Sequence, residues 1–190
     1  MKTASSGLAQ HPPRPSAPGG WALERTTALL ALLFVLLHML LQWPALDAPL
    51  SALNVATADG AIAWLATAGV PLLRQGTLVM HAQGFVTEVH QSCTALLPAV
   101  LLAVGIGMHP RGRPIQKLVG LLLGMVIVVL VNQCRLAGVI WVGVHAPQWF
   151  ALVHEWLAPA GLVGLTTAYG LAWAWAVDAA ASRRAGPIQR

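Results

Sequence analysis

The chain has 190 residues, of which 57% are hydrophobic and only 9% are charged. A soluble domain carries about 25% charged residues, so this chain has too little polar surface to cover a globule in water. The composition excludes an ordinary cytosolic enzyme and a largely disordered chain, and it predicts one compact integral membrane domain. The net charge of +5 does not indicate nucleic-acid binding, because the cations lie in short clusters between apolar segments, as in cytoplasmic membrane loops.

The first predicted elements are a tail and a series of apolar segments. Residues 1–20 are rich in Pro, Ser and Gly, which predicts a disordered tail. Four segments have the length of a membrane span, about 17–25 residues, and contain no Asp, Glu, Lys or Arg: Thr26–Trp43, Ser92–His109, Leu118–Cys134 and Leu157–Val177. A fifth apolar segment, Gly60–Leu73, is shorter and is compatible with a short span, a re-entrant piece or a surface helix.

The distribution of cations favours one topology. With four spans and both termini inside, nine of the eleven Lys and Arg residues lie on the cytoplasmic side, and only Arg74 and Arg135 lie outside. A fifth span at Gly60–Leu73 would place the N-terminus opposite the other two basic clusters. We therefore predict an all-α, multi-pass protein of the cytoplasmic (inner) membrane. It is a polytopic helical bundle of about four transmembrane spans, with a single domain at 21–180 and a basic cytoplasmic tail at 181–190.

The long outer segment carries two further predicted elements. Leu50–Leu73 is predicted to form a helix at the outer membrane interface. The next residues, TLVMHAQGFVTEVH, are rich in Thr and Val around a central glycine, which predicts a short β-hairpin turning at Ala82-Gln83-Gly84. This hairpin leads directly into Cys93.

Three residues that carry chemistry come to the same outer face in this topology. Cys93 lies at the outer end of the second span, Arg135 at that of the third, and His154 just before the fourth. A thiol near lipid is a poor nucleophile unless a cation or a base is close. His154 would take the proton from Cys93 and later give it to a leaving amine, while Arg135 would stabilise the oxyanion on the attacked carbonyl. These three residues form the predicted catalytic set, and the active site faces the periplasm or exterior.

Plainer interpretations stay open for the same residues. Cys93 is compatible with a small packing residue, Arg135 with a cation that reaches the headgroups, and His154 with an interfacial polar residue. In that case the protein would be a non-catalytic partner in an envelope assembly. Cys134 is interpreted as a packing residue.

A metal or cofactor site is the other alternative. It would use polar residues of the outer face, and no tight ligand spacing occurs among them. We therefore expect no metal and no cofactor. The candidate ligands are His81, Glu88, His90, Cys93, His145, His154 and Glu155.

Four segments between Gly69 and Gly161 resemble the motifs of the exosortase/archaeosortase family of membrane cysteine peptidases. GVPLLRQGTLVM resembles the segment before the family's hairpin, and EVHQSCTAL resembles its nucleophile motif. VNQCRLAG is similar to the family's Asn-x-x-Arg motif, and FALVHEWLAPAG to its closing motif with a single His. Thr94-Ala95 stands where the family has Ser-Gly, and the chain is shorter than many members. It therefore resembles a compact or divergent member.

The resemblance implies a cysteine-type peptidase or transpeptidase, that is, a thiol protease acting as a hydrolase or transferase. It implies cleavage of C-terminal sorting signals of exported proteins, in which a short motif, often Pro-Glu-Pro (PEP-CTERM), precedes a transmembrane helix and a basic cluster. The implied partners are such membrane protein substrates and the lipid bilayer, with no nucleic acid; the oligomeric state stays open. Arg74 and Asn132 are the expected substrate-binding residues. The substrate helix is expected to pack against small residues such as Gly120 and Gly124.

Overall fold

The computed structural model describes residues 28, 32 and 34–185. These residues fall into two units, before and after the Trp43–Pro44 junction. The predicted tail at 1–20, the first part of the predicted span Thr26–Trp43 and the end of the predicted tail at 181–190 lie outside the described residues. In the first unit, helix α1 covers 34–41, and most of its apolar side chains, such as Leu36 and Met39, are exposed.

The second unit consists of helices and one small sheet. The three strands form an antiparallel sheet in the order β1-β2-β3. Short turns connect the longer elements: a 3₁₀ turn precedes α3, and a π-helical turn leads into the last helix. The elements are α2 (Asp47–Thr67), β1 (Leu72–Gln75), β2 (Leu78–His81), β3 (Val86–Glu88), the 3₁₀ turn Gln91–Cys93, α3 (Leu96–Met108), α4 (Pro114–His145), the π turn Val153–Leu157 and α5 (Ala158–Ala185).

Two helical stretches in the described residues are long and apolar enough to cross a membrane, Pro114–His145 and Pro147–Arg184. They contain the predicted spans Leu118–Cys134 and Leu157–Val177. The predicted span Ser92–His109 forms only α3, which is apolar but has 13 residues. Two spans are therefore supported, and the count of four stays a prediction.

The outward faces of α4 and α5 are apolar. A water-soluble monomer rarely exposes so much contiguous apolar surface, whereas lipid tails accept it. Together with the length of these helices, this surface supports a membrane protein. The exposed side chains include Leu122, Leu123, Val126, Val129 and Leu130 on α4, and Val163, Leu165, Leu171 and Trp175 on α5.

The helix predicted over Leu50–Leu73 begins and ends earlier in the structure, at Asp47 and Thr67. Helix α2 ends at Thr67, and the Val70 amide donates to the Leu65 carbonyl at 3.0 Å around Gly69, which has a φ of 77°. Glycine takes this left-handed conformation without the steric cost of a side chain, so it closes the helix. The last residues of the predicted helix Leu50–Leu73 therefore form a loop and the start of β1, which sequence inspection did not separate from the helix.

The predicted β-hairpin at Ala82-Gln83-Gly84 is confirmed. The His81 amide donates to the Phe85 carbonyl at 2.8 Å, and the Gly84 amide donates to the His81 carbonyl at 3.0 Å. Gly84 has a φ of 95°, which suits a glycine at the tip of a tight turn. The hairpin is larger than predicted, because β1 adds a third strand to it.

The buried apolar side chains form two clusters. The sheet-side cluster joins α2, the sheet and the C-terminal half of α4 around Ala61, Val79, Cys93 and Ile140. The bundle cluster joins α3 and the middle of α4 around Leu102 and Val128, with Tyr169 and Trp173 of α5 packed against it. Cys93 therefore lies inside the sheet-side cluster.

The glycines expected to receive a substrate helix face another part of the chain. A Cβ atom on Gly120 would lie 2.1 Å from Nε1 of Trp173, and one on Gly124 would lie 2.7 Å from Cε1 of Tyr169. Both glycines are buried beneath α5. The expected substrate contact at Gly120 and Gly124 is therefore wrong: these residues let α5 approach α4.

Candidate active site

Cys93 lies on a tight turn between the sheet and α3. The Cys93 amide donates to the His90 carbonyl at 2.8 Å, and the Thr94 hydroxyl donates to the Gln91 carbonyl at 2.7 Å. Thr94 is extended, with a φ of −86° and a ψ of 158°, so α3 begins only at Leu96. The Cys93 backbone therefore lies on a 3₁₀ turn outside α3.

The two cysteines have different surroundings. Cys93 is buried, with 4% of its surface exposed, whereas Cys134 is exposed on α4; both are free thiols. The interpretation of Cys134 as a packing residue is therefore wrong. Its outward position also keeps it from pairing with Cys93 in this structure.

Two side chains of α4 meet the Cys93 backbone. Nδ2 of Asn132 donates to the Cys93 carbonyl at 3.0 Å, and Nη1 of Arg135 lies 3.5 Å from the same oxygen. Nη1 of Arg135 also lies 3.4 Å from Oδ1 of Asn132. The structure thus brings together the predicted nucleophile, the predicted oxyanion donor and Asn132, although 42 residues separate Cys93 from Arg135.

Arg135 is only partly engaged by protein atoms. Its Nε is buried and has no hydrogen-bond partner in the described residues. Buried donors are nearly always paired, so a donor without a partner calls for an explanation, and a bound ligand is one. A guanidinium with free donors can stabilise negative charge that develops on a nearby carbonyl oxygen.

His154 lies on the π turn, and its side chain does not bond to the Cys93 carbonyl as Asn132 and Arg135 do. Its ring stacks on Phe150 with centroids 5.3 Å apart, and Phe150 meets Phe85 of the hairpin tip edge-on at 5.4 Å. Its ring nitrogens have no hydrogen-bond partner among residues 34–185, so the structure shows no hydrogen bond from His154 to Cys93 or Arg135. π turns are frequent at functional sites, and this one packs against α4.

Sequence reasoning missed the aromatic contacts that position this turn. A Cβ on Gly143 of α4 would lie 2.1 Å from Cε2 of Phe85, so a glycine is needed for the hairpin tip to reach α4. The tip then touches Phe150, on which His154 stacks. No local pattern reveals this arrangement, because its members are far apart in the chain.

Arg74, a predicted substrate-binding residue, already has partners. Its Nε forms an ion pair with Oδ1 of Asp59 on α2, and its Nη1 donates to the Gly76 carbonyl at 2.9 Å. These contacts connect β1 to α2. Binding of substrate by Arg74 stays a prediction, in which Arg74 would keep or exchange these contacts.

The residues proposed for a metal site are not assembled. Among residues 34–185, no three His, Cys, Asp or Glu side chains lie close enough together to hold a metal ion. His90 meets Glu88 at 3.6 Å, and both side chains are largely open to solvent. No observation in the described residues favours the metal-binding alternative.

The whole site lies within the match to one protein family. The chain matches the family model described as transmembrane exosortase (Exosortase_EpsH) over residues 8–176. No curated protein and no solved structure matches it. Because the family match covers most of the sequence, including Cys93, Asn132, Arg135 and His154, the chain belongs to the transmembrane exosortase family.

Proposed function

We propose that this exosortase is a cysteine-type peptidase or transpeptidase that cleaves C-terminal sorting signals of exported proteins. Family membership supports a membrane transpeptidase-type role. The observation that carries the cysteine assignment is the meeting of Cys93 with Arg135. A membrane-helix arginine costs free energy, and its contact with the carbonyl of the one buried cysteine among residues 34–185 supports a chemical role.

The proposed reaction has two halves. The Cys93 thiol gives its proton to His154, and the sulfur attacks the carbonyl of the scissile peptide bond. Arg135 stabilises the oxyanion; the C–N bond then breaks, His154 protonates the leaving amine, and a thioester remains on Cys93. Water or an acceptor amine attacks the thioester and restores the thiol.

His154 would complete the site when substrate binds. In the structure its imidazole stacks on Phe150 and has free nitrogens. Catalytic hydrogen bonds often form fully only in the substrate complex, so the open geometry is compatible with a general base. The proposal requires the imidazole to leave Phe150 and to reach the Cys93 thiol.

The family and the membrane setting support the proposed substrate class. The signal's own helix would lie in the bilayer beside α3, α4 or α5, and its short motif would emerge at the outer face, where we place Cys93. In a Pro-Glu-Pro motif, the glutamate would pair with Arg74 or Arg135. The inner basic cluster of the signal would remain on the cytoplasmic side.

The direct test uses a reporter that is exported and carries a C-terminal Pro-Glu-Pro motif, an apolar helix and an arginine cluster. Cells that express the wild-type chain should convert the reporter to a shorter form, seen by gel mobility and by mass of the new C-terminus. Cys93→Ala should abolish conversion while the protein still inserts in the membrane. Cys134→Ala, the matched control on an exposed thiol, should retain it. Full conversion by Cys93→Ala would exclude the proposed mechanism.

A further inference from the structure

Asn132 occupies an unusual place for a polar residue in a membrane helix. It is 2% exposed, and it lies one turn before Arg135 on the same face of α4. A buried amide costs free energy unless both ends are paired. Both ends of this amide contact the candidate site. Nδ2 donates to the Cys93 carbonyl, and Oδ1 faces the Arg135 guanidinium.

The Cys93 carbonyl depends on this contact. Cys93 ends the 3₁₀ turn, and α3 starts only three residues later, so no helix supplies an amide to this oxygen. The shorter of its two side-chain bonds comes from Asn132, at 3.0 Å against 3.5 Å from Arg135. The His90 carbonyl holds the amide on the other side of Cys93. The backbone is thereby fixed on both sides of the nucleophile.

We infer that Asn132 is a positioning residue that holds the Cys93 backbone, and with it the direction of the thiol, against α4. This role rests on the proposed function, and it differs from the substrate contact that the sequence resemblance implies. Asn132 acts through Cys93 and does not touch the reacting atoms. It also leaves Arg135 free to turn toward the substrate, because the carbonyl keeps its stronger partner when Arg135 moves.

Two variants test the inference on the full-length protein with the Pro-Glu-Pro reporter. Asn132→Leu removes both polar ends at similar volume, and Asn132→Asp keeps an acceptor for Arg135 but removes the donor to Cys93. We expect both variants to lower kcat by about tenfold to a hundredfold, because small misplacement of a nucleophile is costly. We expect KM to stay the same, since no substrate contact is lost.

A second measurement separates positioning from folding. In a Cys134→Ala background, iodoacetamide can modify only Cys93, which is buried in the wild type. Both variants should be alkylated faster, because the turn is released from α4, although they process the reporter more slowly. Asn54→Leu is the matched control on α2: its Oδ1 is buried without a partner in the described residues, so its loss should change neither rate. Melting temperatures of all variants are measured in the same detergent.

Three outcomes would overturn the inference. A raised KM with unchanged kcat would make Asn132 a substrate-binding residue. Retained kcat in Asn132→Asp but not in Asn132→Leu would show that orientation of Arg135, and not the bond to Cys93, is what matters. Normal kcat in both variants would end the inference while leaving the proposed function intact, provided that Cys93→Ala is inactive in the same assay.

Discussion

Polar groups near the two ends of α4 differ in whether they have hydrogen-bond partners. Near Pro114, the donors of neighbouring elements have backbone partners: the Tyr169 hydroxyl donates to the Gly120 carbonyl at 2.6 Å, and Nε1 of Trp173 donates to the Gln116 carbonyl at 3.3 Å. Near His145, by contrast, Nε of Arg135 and Oε1 of Gln133 are buried without partners in the described residues. A buried polar group without a partner calls for an explanation, and at Arg135 the proposed reaction supplies one. We call the Pro114 end of α4 the structural end and the His145 end the proposed reactive end.

Charged residues strengthen the structural end. Asp178 near the end of α5 meets Nε2 of His109 at 3.1 Å and Nη1 of Arg111 at 3.5 Å. Nζ of Lys117 donates to the Gly107 carbonyl at 2.6 Å. These contacts connect the α3–α4 link to α5 and close this end of the bundle. Part of the basic cluster that predicted the cytoplasmic side therefore also has internal partners.

Among variants that compare the two ends of α4, the largest expected effect comes from Arg135, whose loss should lower activity without lowering stability. Arg135→Gln should lower processing of the reporter by about 100-fold to 1,000-fold, the usual effect of losing an oxyanion donor. Its melting temperature should not fall, because removing a half-buried and incompletely paired charge also removes a desolvation cost. Arg135→Lys, which keeps the charge but not the fork of donors, is the control. A large fall in melting temperature with normal processing would show that Arg135 serves stability and not activity.

An intermediate effect is expected at the structural end. Gly120→Ala should destabilise the protein by about 1–3 kcal/mol, because its Cβ would collide with Trp173. Gly138→Ala is the matched control in the same helix, since Gly138 is exposed and, apart from its own helix backbone and chain neighbours, no atom of the described residues lies within 4 Å of its Cβ position. Thermal unfolding in detergent measures both. Equal melting temperatures for the two variants would show that α5 does not pack on Gly120 as described.

The smallest effect is expected from a single hydrogen bond. Tyr169→Phe removes the bond to the Gly120 carbonyl and should cost about 0.6–1.7 kcal/mol, the range for such bonds within membranes. Thr166→Val is its control on α5, because the Thr166 hydroxyl is buried without a partner in the described residues. Unfolding of the two variants is compared under the same conditions. A loss at Thr166 equal to that at Tyr169 would argue against a contribution from the Tyr169 bond.

The sequence predicted those features that local patterns encode. Apolar length indicated α4 and α5, and Gly84 among Thr and Val residues indicated the hairpin. The four-span topology predicted that Cys93 and Arg135 would be neighbours, and they are in contact, although the four spans stay a prediction and Arg135 lies within α4 and not at its end. The family assignment agrees with the motifs around these two residues.

Features that depend on tertiary packing could not be predicted. The helix that packs against Gly120 could not be predicted, because residue spacing alone does not distinguish a helix of the same chain from the helix of a substrate. The pairing of Arg74 with Asp59 required the turn at Gly69, which folds β1 back along α2. The stacking of His154 on Phe150 depends on a π turn, for which the sequence VHEWL gives no local signal.

The shortness of α3 has a consequence for how a peptide reaches Cys93. Its 13 residues rise only about 20 Å, whereas the hydrocarbon core of a bilayer measures about 30 Å. If α3 crosses the bilayer, as the four-span prediction requires, either the lipid thins around this helix or its Cys93 end lies beneath the membrane surface. In the proposed reaction, a substrate in a regular helix would have its carbonyls bonded to its own amides, so we expect it to uncoil by about a turn before the thiol attacks it. Local unwinding of the bound chain would then be part of selectivity, and helices that uncoil readily at that depth would be cut first.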